Sequence, residues 1–496
     1  MKRLDQLTFT RFLAVALVLI YHGGGGVYIK AFDKFPISSI LYAAPTAVSF
    51  LYVLSGFVMS LVYYRPKEQF DVRGYWIARF VRIYPLYIIS FLLVCLYYFD
   101  FMGRIKAPKI LANIFVLQAW YPPYAQSFNY ASWSMTVEFF FYFLFPFFTM
   151  WAYRQPTRRL IALSLVLWVV SQTAHYFLWM RYFPQWETFV VNNPIFHLNS
   201  FILGAVGGIW FLREGQTHEI KPIVNYVILA GSLLLFALFM IAGDMYPDVV
   251  PNTLQPMQGM LSPVFVLTIV TLALDKTRLS VALNHPWLVM LGETAYALYI
   301  LHVPVLWFSK RFLESSGLKN PQAAFDVIYL PLMISIGLIS HLYIDRPLRR
   351  WLRDVMTRVS IPLLLLDLVA AAASIYLSFQ FRFSSGKELL EFRSAAYAMF
   401  WCAFVIRIAV PLIFNATNPS ILKLPFPQLA RTVLLSVTTG SALLGGLMLS
   451  FASLGWLEGF PRSVLVIDWV LMIVFSTLIR LALKNIKPYR VIPEPA

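Results

Sequence analysis

Runs of about 20 apolar residues recur along the whole chain, and nothing else in the sequence confines its fold so tightly. Each run is long enough to cross a hydrocarbon core of ~30 Å as a helix. In lipid the backbone must find its hydrogen-bond partners inside the protein, so runs of this kind form helices rather than open strands. Apolar residues fill 59% of the 496 positions and charged ones only 13%, about half the charged share of a soluble chain. The expected fold is all-α, a polytopic integral membrane protein.

Ten spans are expected at about 8–28, 41–63, 77–98, 133–152, 160–179, 196–212, 223–242, 258–274, 288–308 and 326–344. The run at about 109–121 is too short to cross and is followed by two prolines, so it reads as a half-helix or interfacial segment. Near residue 355 a basic hinge, DRPLRRWLRDVMTR, introduces a second block, with four more runs at about 362–381, 393–414, 431–451 and 462–483. The expected domains are 1–355, a ten-span bundle, and 356–496, a four-span membrane domain without a soluble catalytic part.

The net charge of +17 does not point to nucleic acid. Lys and Arg concentrate in short loops at 65–73, 154–159, 213–221, 276–278 and 346–358. With the N-terminus in the cytoplasm all five fall on the cytoplasmic side, the positive-inside pattern, and fourteen spans return the C-terminal tail to that side. The first segment holds basic residues and Arg11 but no small-residue cleavage site, so it is expected to be a retained span rather than a signal peptide. The two cysteines, Cys95 and Cys402, lie in apolar runs, which leaves no disulfide framework and no metal cluster.

Ionisable groups inside spans are costly and mark candidate sites. Arg11 lies near the cytoplasmic end of the first span, and His22 is eleven residues on, ~16 Å deeper, beside four glycines that permit close approach. A histidine there is either a packed, hydrogen-bonded side chain or a reacting group. Arg79 and Arg82, three apart on one helical face, form either a guanidinium fork for phosphate oxygens or an ordinary loop anchor. Glu138, flanked by Val137, Phe139 and Phe140, has to face a polar cavity or a partner; Trp133 and Ser134 precede it at the expected outer mouth. These depths permit a His22–Glu138 contact. His302 lies roughly level with His22, so two histidines and a glutamate fit a pocket for general acid–base work. His341, just before Asp345 and Arg346, reads as part of an interfacial polar cluster. No phosphate-binding Gly loop or H-E-x-x-H zinc site and no G-x-S-x-G elbow occurs.

Six separated motifs then agree: Arg11 with His22, SFLYVLSGFVMS, RFVR at 79–82, WSMTVEFFFY at 133–142, AYALYILHVPV at 295–305 and DRPLRRWL at 345–352. Together they resemble the acyltransferase-3 family of membrane acyltransferases over residues 1 to about 355. The resemblance implies a ten-span fold and a cytoplasmic acyl-CoA donor, usually acetyl-CoA, with no tightly bound cofactor. It implies a sugar hydroxyl of the cell envelope or an exopolysaccharide as acceptor, in a bacterial inner membrane. On that resemblance His22 is the catalytic histidine, joined by Glu138. Arg11, Arg79, Arg82, Trp133, Ser134 and His302 would bind substrate, the arginine pair holding the CoA phosphates. The last motif carries Asp345 where the family commonly has Glu, which affects fine geometry alone.

The segments at 367–383 and 461–484 resemble the membrane region of nucleotide-sugar epimerase/dehydratase proteins, whose dinucleotide-binding domain has no counterpart here. Such a block suits docking of a polysaccharide-assembly partner. The sequence leaves two other readings open: a transporter or flippase for a lipid-linked sugar or acyl donor, and a non-catalytic scaffold. Whether His22 is base or acyl carrier is also open.

Overall fold

The structure, a computed structural model, describes residues 4–485 apart from 25, 31, 67–69, 99–104, 106, 183–184, 218–220, 246–258, 384–391, 454, 456 and 458–459. The C-terminal end of the tail, 486–496, lies outside the described residues. No strand occurs among the described residues; the chain is all-α, with thirteen helices long and apolar enough to cross a membrane. It divides into two compact units, Met1–Arg349 and Arg350–Ala496.

In the first unit the main helices are α1 (Thr8–Gly23), α2 (Ala44–Tyr63), α3 (Val72–Tyr97), α4 (Trp133–Ala152), α5 (Thr157–Tyr182), α6 (Pro194–Arg213), α7 (Pro222–Met245), α8 (Ser262–Leu274), α9 (Pro286–Ser315) and α10 (Pro321–Ile339). Of the fourteen expected spans, the one at 258–274 is described only as α8, whose 13 residues fall short of span length. A wide π turn, Ser340–Asp345, leads from α10 into α11 (Arg346–Thr357). The apolar run at 109–121 does not cross: its helix, Ala107–Ile114, has 8 residues, ~12 Å of rise. Two boundaries differ from expectation. α1 stops at Gly23 because Gly24 takes φ 74°, a left-handed conformation that costs glycine nothing; His22 therefore sits in the last turn. α3 begins five residues early, where Asp71 caps it by accepting the Gly74 N–H at 2.9 Å. That sinks Arg79 and Arg82 roughly 10 and 15 Å into the helix, away from its mouth.

Small residues set the tightest helix contact. Gly56 and Ser60 of α2 meet Gly204 and Gly208 of α6, both pairs four apart, the small-xxx-small spacing that lets membrane helices touch backbone to backbone. A Cβ on Gly204 would fall 1.9 Å from the Val53 carbonyl, and Ser60 Oγ donates to the Ala205 carbonyl at 2.9 Å.

Prolines inside spans remove one N–H each and free the carbonyl four residues back. In lipid that oxygen needs another donor, and three find one on a different segment. Pro304 frees Ile300, whose carbonyl accepts from Ser90 Oγ (2.9 Å) and Asn129 Nδ2 (2.8 Å). Pro146 frees Tyr142, whose carbonyl accepts from Trp76 Nε1 at 3.2 Å. Pro331 frees Val327, which accepts from Tyr28 at 2.8 Å.

The second unit holds α12 (Ile361–Arg382), α13 (Arg393–Ile413), α14 (Phe426–Ser453) and α15 (Arg462–Asn485). Its interior contains two buried ion pairs that the sequence reading passed over. Arg480 on α15 meets Asp367 on α12 at 2.7 Å, and Arg407 on α13 meets Asp468 on α15 at 3.0 Å, all four side chains at most 3% exposed. Ser374, Ser441 and Ser476 complete the network. Removing one member strands a buried charge, which costs about 3–5 kcal/mol. Asp367→Leu is therefore expected to lower the unfolding midpoint of the full chain in detergent, while Asp367→Leu with Arg480→Met recovers most of the loss. Equal destabilisation by the single and double variants would refute the account.

Candidate active site

A cavity of about 1520 Å³ opens within the first unit. Its rim is formed where helices begin and end, at Leu4, Gln216, Pro222, Lys276 and Asn284. The basic loops gather on this side: Arg213 donates to the Gln155 carbonyl at 2.7 Å and to Tyr64, while Tyr153 accepts from the Arg65 N–H at 3.3 Å. Arg11, Arg65, Arg79, Arg82, Lys276, Arg346 and Arg349 line the cavity against three carboxylates, Glu138, Asp275 and Glu293. Four excess positive charges in a partly desolvated chamber favour an anionic occupant.

Tyrosines hold Arg79. Arg79 donates to the Tyr63 hydroxyl at 2.9 Å, and its guanidinium lies 5.3, 5.7 and 6.0 Å from the Tyr63, Tyr142 and Tyr75 rings. Cation–π attraction of this kind strengthens as water is excluded. The Arg79 Nε is buried without a hydrogen-bond partner among the described residues. Glu138 accepts from Tyr142 at 3.4 Å and lies in the field of Arg82, Arg11 and Arg79. At the rim, Arg346 donates to Glu293 at 2.5 Å and to His341 at 3.1 Å, and Arg349 pairs with Asp345. His341 and Asp345 thus form the polar cluster expected of them.

The two deep histidines meet at the other end of α1. His302, wholly buried, places Nε2 3.2 Å from His22 Nδ1, with ring centroids 5.0 Å apart. Tyr130 and Tyr21 pack on His22, each with centroids 5.0 Å away. The segment before α4 is fixed here by Asn129, which donates to Ser90 and to the carbonyl released by Pro304. Tyr299, which lines the cavity, packs on His302 with ring centroids 5.9 Å apart, and its carbonyl accepts from His302 Nδ1 at 2.5 Å. Ser134 also lines the cavity, donating to Ala131 at 3.0 Å.

The structure thus brings Arg11, Arg79, Arg82, Ser134 and Glu138 into one chamber and pairs His22 with His302, neither of which is among the residues lining that chamber. Two expectations change. Glu138 does not touch His22 among the described residues, because the part of the chain beside His22 is Tyr130 and Glu138 lies eight residues further on, ~12 Å along α4. Trp133 is turned towards His197, 5.3 Å between ring centroids, and is not among the residues lining the cavity. Tyr63, Tyr142 and the places of Arg346 and Arg349 on the cavity wall were not singled out from sequence. The arginines stood in the quoted DRPLRR motif; the tyrosines looked like ordinary members of apolar runs.

A basic, tyrosine-lined chamber and a buried histidine pair, inside a bundle of membrane helices, define a multi-pass membrane protein with a chamber suited to an anionic occupant. Residues 4–342 match the acyltransferase-3 family, described as an acyltransferase domain, and the chain belongs to that family. It is similar to "Acyltransferase MdmB" of Streptomyces mycarofaciens, 26% identical over 71% of this chain and 92% of that protein. It is also similar to "O-acetyltransferase OatA" of Staphylococcus aureus, 22% identical over 70% of this chain and 59% of that one. "Peptidoglycan O-acetyltransferase OatA" of Listeria monocytogenes is 22% identical over 61% of this chain and 51% of its own length. The chain thus spans between half and three-fifths of the two OatA proteins. No solved structure matches. The family match ends at residue 342, and the resemblance drawn for 367–383 and 461–484 stays an expectation from their sequence.

The chamber predicts its own access route. Ser55, on its wall, changed to Cys in a background of Cys95→Ser and Cys402→Ser, is expected to react with a charged, membrane-impermeant thiol reagent applied to the face carrying Lys276. Labelling from the opposite face only would disprove that opening.

Proposed function

We propose that this protein is an O-acyltransferase that moves an acyl group, acetyl in the first instance, from cytoplasmic acyl-CoA to a hydroxyl of a cell-envelope or exopolysaccharide sugar. The observation that carries the reading is the excess of arginine in a chamber whose wall residue Tyr299 packs on His302, the partner of His22. Phosphates of the donor suit Arg79 and Arg82, with Arg11 beside them, and the slender pantetheine arm suits the part of the chamber lined by Tyr299 and Ser134. The relatives' names, an acyltransferase and two O-acetyltransferases, one of peptidoglycan, support acyl transfer to a glycan hydroxyl.

In this mechanism acyl-CoA is a substrate, with no tightly bound cofactor. His22 takes the proton of the acceptor hydroxyl as general base. The oxygen attacks the thioester carbonyl, the C–S bond breaks, and His22 returns the proton to the thiolate, releasing CoA. Glu138 sits among the arginines and balances part of their charge before the donor arrives. The rim faces the cytoplasm, as do both termini, in a bacterial inner membrane. The second unit is the docking element for a polysaccharide-assembly partner.

Radiolabelled acetyl-CoA, given to membranes holding wild type, should label envelope glycans or glycolipids, and His22→Ala should abolish labelling at equal protein level. Arg82→Met should raise KM for acetyl-CoA about tenfold or more, the loss of one charge-assisted hydrogen bond, with a smaller change in kcat. Absence of transfer by wild type across several acyl-CoAs would favour the transporter or flippase reading, for which the same chamber would be a substrate path.

A further inference from the structure

His302 is enclosed on every side, and it meets His22 with the two rings 29° from parallel and a ring nitrogen of each within hydrogen-bond reach of the other. The hydrogen-bond partners fix where the protons of both rings sit. His302 Nδ1 lies 2.5 Å from the Tyr299 carbonyl. A carbonyl oxygen only accepts, so Nδ1 of His302 carries the hydrogen and, in the neutral ring, Nε2 is a bare acceptor. That acceptor is 3.2 Å from His22 Nδ1, which also lies 3.1 Å from the Val18 carbonyl. Both neighbours of His22 Nδ1 accept, so this nitrogen carries the hydrogen too, shared between them. The lone pair of His22 is left on Nε2, which has no hydrogen-bond partner among the described residues in a ring that is only half-buried.

We infer that His302 is a positioning residue: through the chain Tyr299 carbonyl, His302, His22, it locks His22 in the Nδ1–H tautomer and aims Nε2 at the acceptor hydroxyl. This deepens the acyltransferase reading and rests on it. Which imidazole nitrogen is available is set by the hydrogen bond the other one makes. A carboxylate commonly fills that role, but Glu138 is engaged with the arginines at the other end of the site. A neutral imidazole does the same without placing an unpaired anion in the membrane interior, where it would be costly. The chain ends at a backbone carbonyl that cannot take up a proton. The hydrogen removed from the acceptor therefore stays on His22 Nε2 until it passes to the CoA thiolate, so the two histidines orient and share charge without conducting a proton away. While His22 is an imidazolium, the His302 Nε2 and Val18 acceptors and the adjacent Tyr130 ring stabilise it.

The test uses the full chain labelled with [15N]histidine in lipid nanodiscs, the His22 and His302 signals being assigned by their loss in His22→Gln and His302→Gln. Wild type is expected to show both residues protonated at Nδ1 and bare at Nε2. His302→Met, which keeps apolar volume but removes the acceptor, should mix the His22 tautomers and lower kcat about 100-fold, with KM for acetyl-CoA within twofold. His302→Gln, whose amide can donate to Tyr299 and accept from His22, should recover at least tenfold of that loss. An Nε2–H tautomer of His22 in wild type overturns the inference without need of any variant. So does a folded His302→Met protein with unchanged kcat, or a Gln variant no better than Met. If His22→Gln itself leaves transfer intact, the acyltransferase assignment of His22 falls instead.

Discussion

A carbonyl oxygen without a donor cannot be left in lipid, and the arrangement of the first unit depends on how three such oxygens are satisfied. The prolines at 146, 304 and 331 each break a helical hydrogen bond, and each freed carbonyl is taken up by a side chain from elsewhere in the sequence. Loss of such a bond in the membrane interior costs more than an ordinary surface contact, since no water substitutes. The bonds therefore fix geometry. Asn129 and Ser90 on the Ile300 carbonyl tie the start of α4 and the middle of α3 to α9, two residues from His302. Trp76 on the Tyr142 carbonyl ties α3 to α4 beside the tyrosine cage of Arg79. The faults in α9 and α4 thus register the two ends of the site against each other.

The site itself separates charge from reaction. Its arginines stand at one end of α1 and its histidines at the other, eleven residues and ~16 Å apart. Arginine suits the first end because it stays cationic and offers several donors to phosphate oxygens. Imidazole suits the second because it is neutral at rest and accepts a proton near physiological pH. Had Glu138 lain against His22, its charge would have been drawn away from the arginines, which would then repel one another in an empty chamber. Its place among Arg11, Arg79 and Arg82 settles both demands.

The second unit solves the burial problem by a different route. Its four helices carry two aspartates and two arginines in their interior, matched into pairs on facing helices. Removal of one partner strands the other in a region of low dielectric, so the pairs specify which helices face one another and in what register. Gly56 and Gly204 in the first unit achieve the same specification with no charge at all, by admitting backbone contact that any side chain would block.

Helical spans were legible in the sequence because lipid leaves a chain one inexpensive conformation, and apolar runs of the right length record that constraint directly. Arg11, Arg79, Arg82, Glu138, His22 and His302 were legible as candidates for the same reason: an ionisable side chain in such a run demands an explanation. What the sequence did not contain was their grouping. Depth along a helix is one coordinate, and it allowed His22 to meet Glu138 as readily as His302. The Asp71 cap and the early stop at Gly24 set where α3 begins and α1 ends, and the bond from Asn129 to Ile300 ties the segment before α4 to α9. Rotation about each helix axis then turned Trp133 towards His197 and Arg349 towards the chamber. Those choices depend on which polar atoms find partners across segments far apart in the chain, so only the tertiary structure decided them.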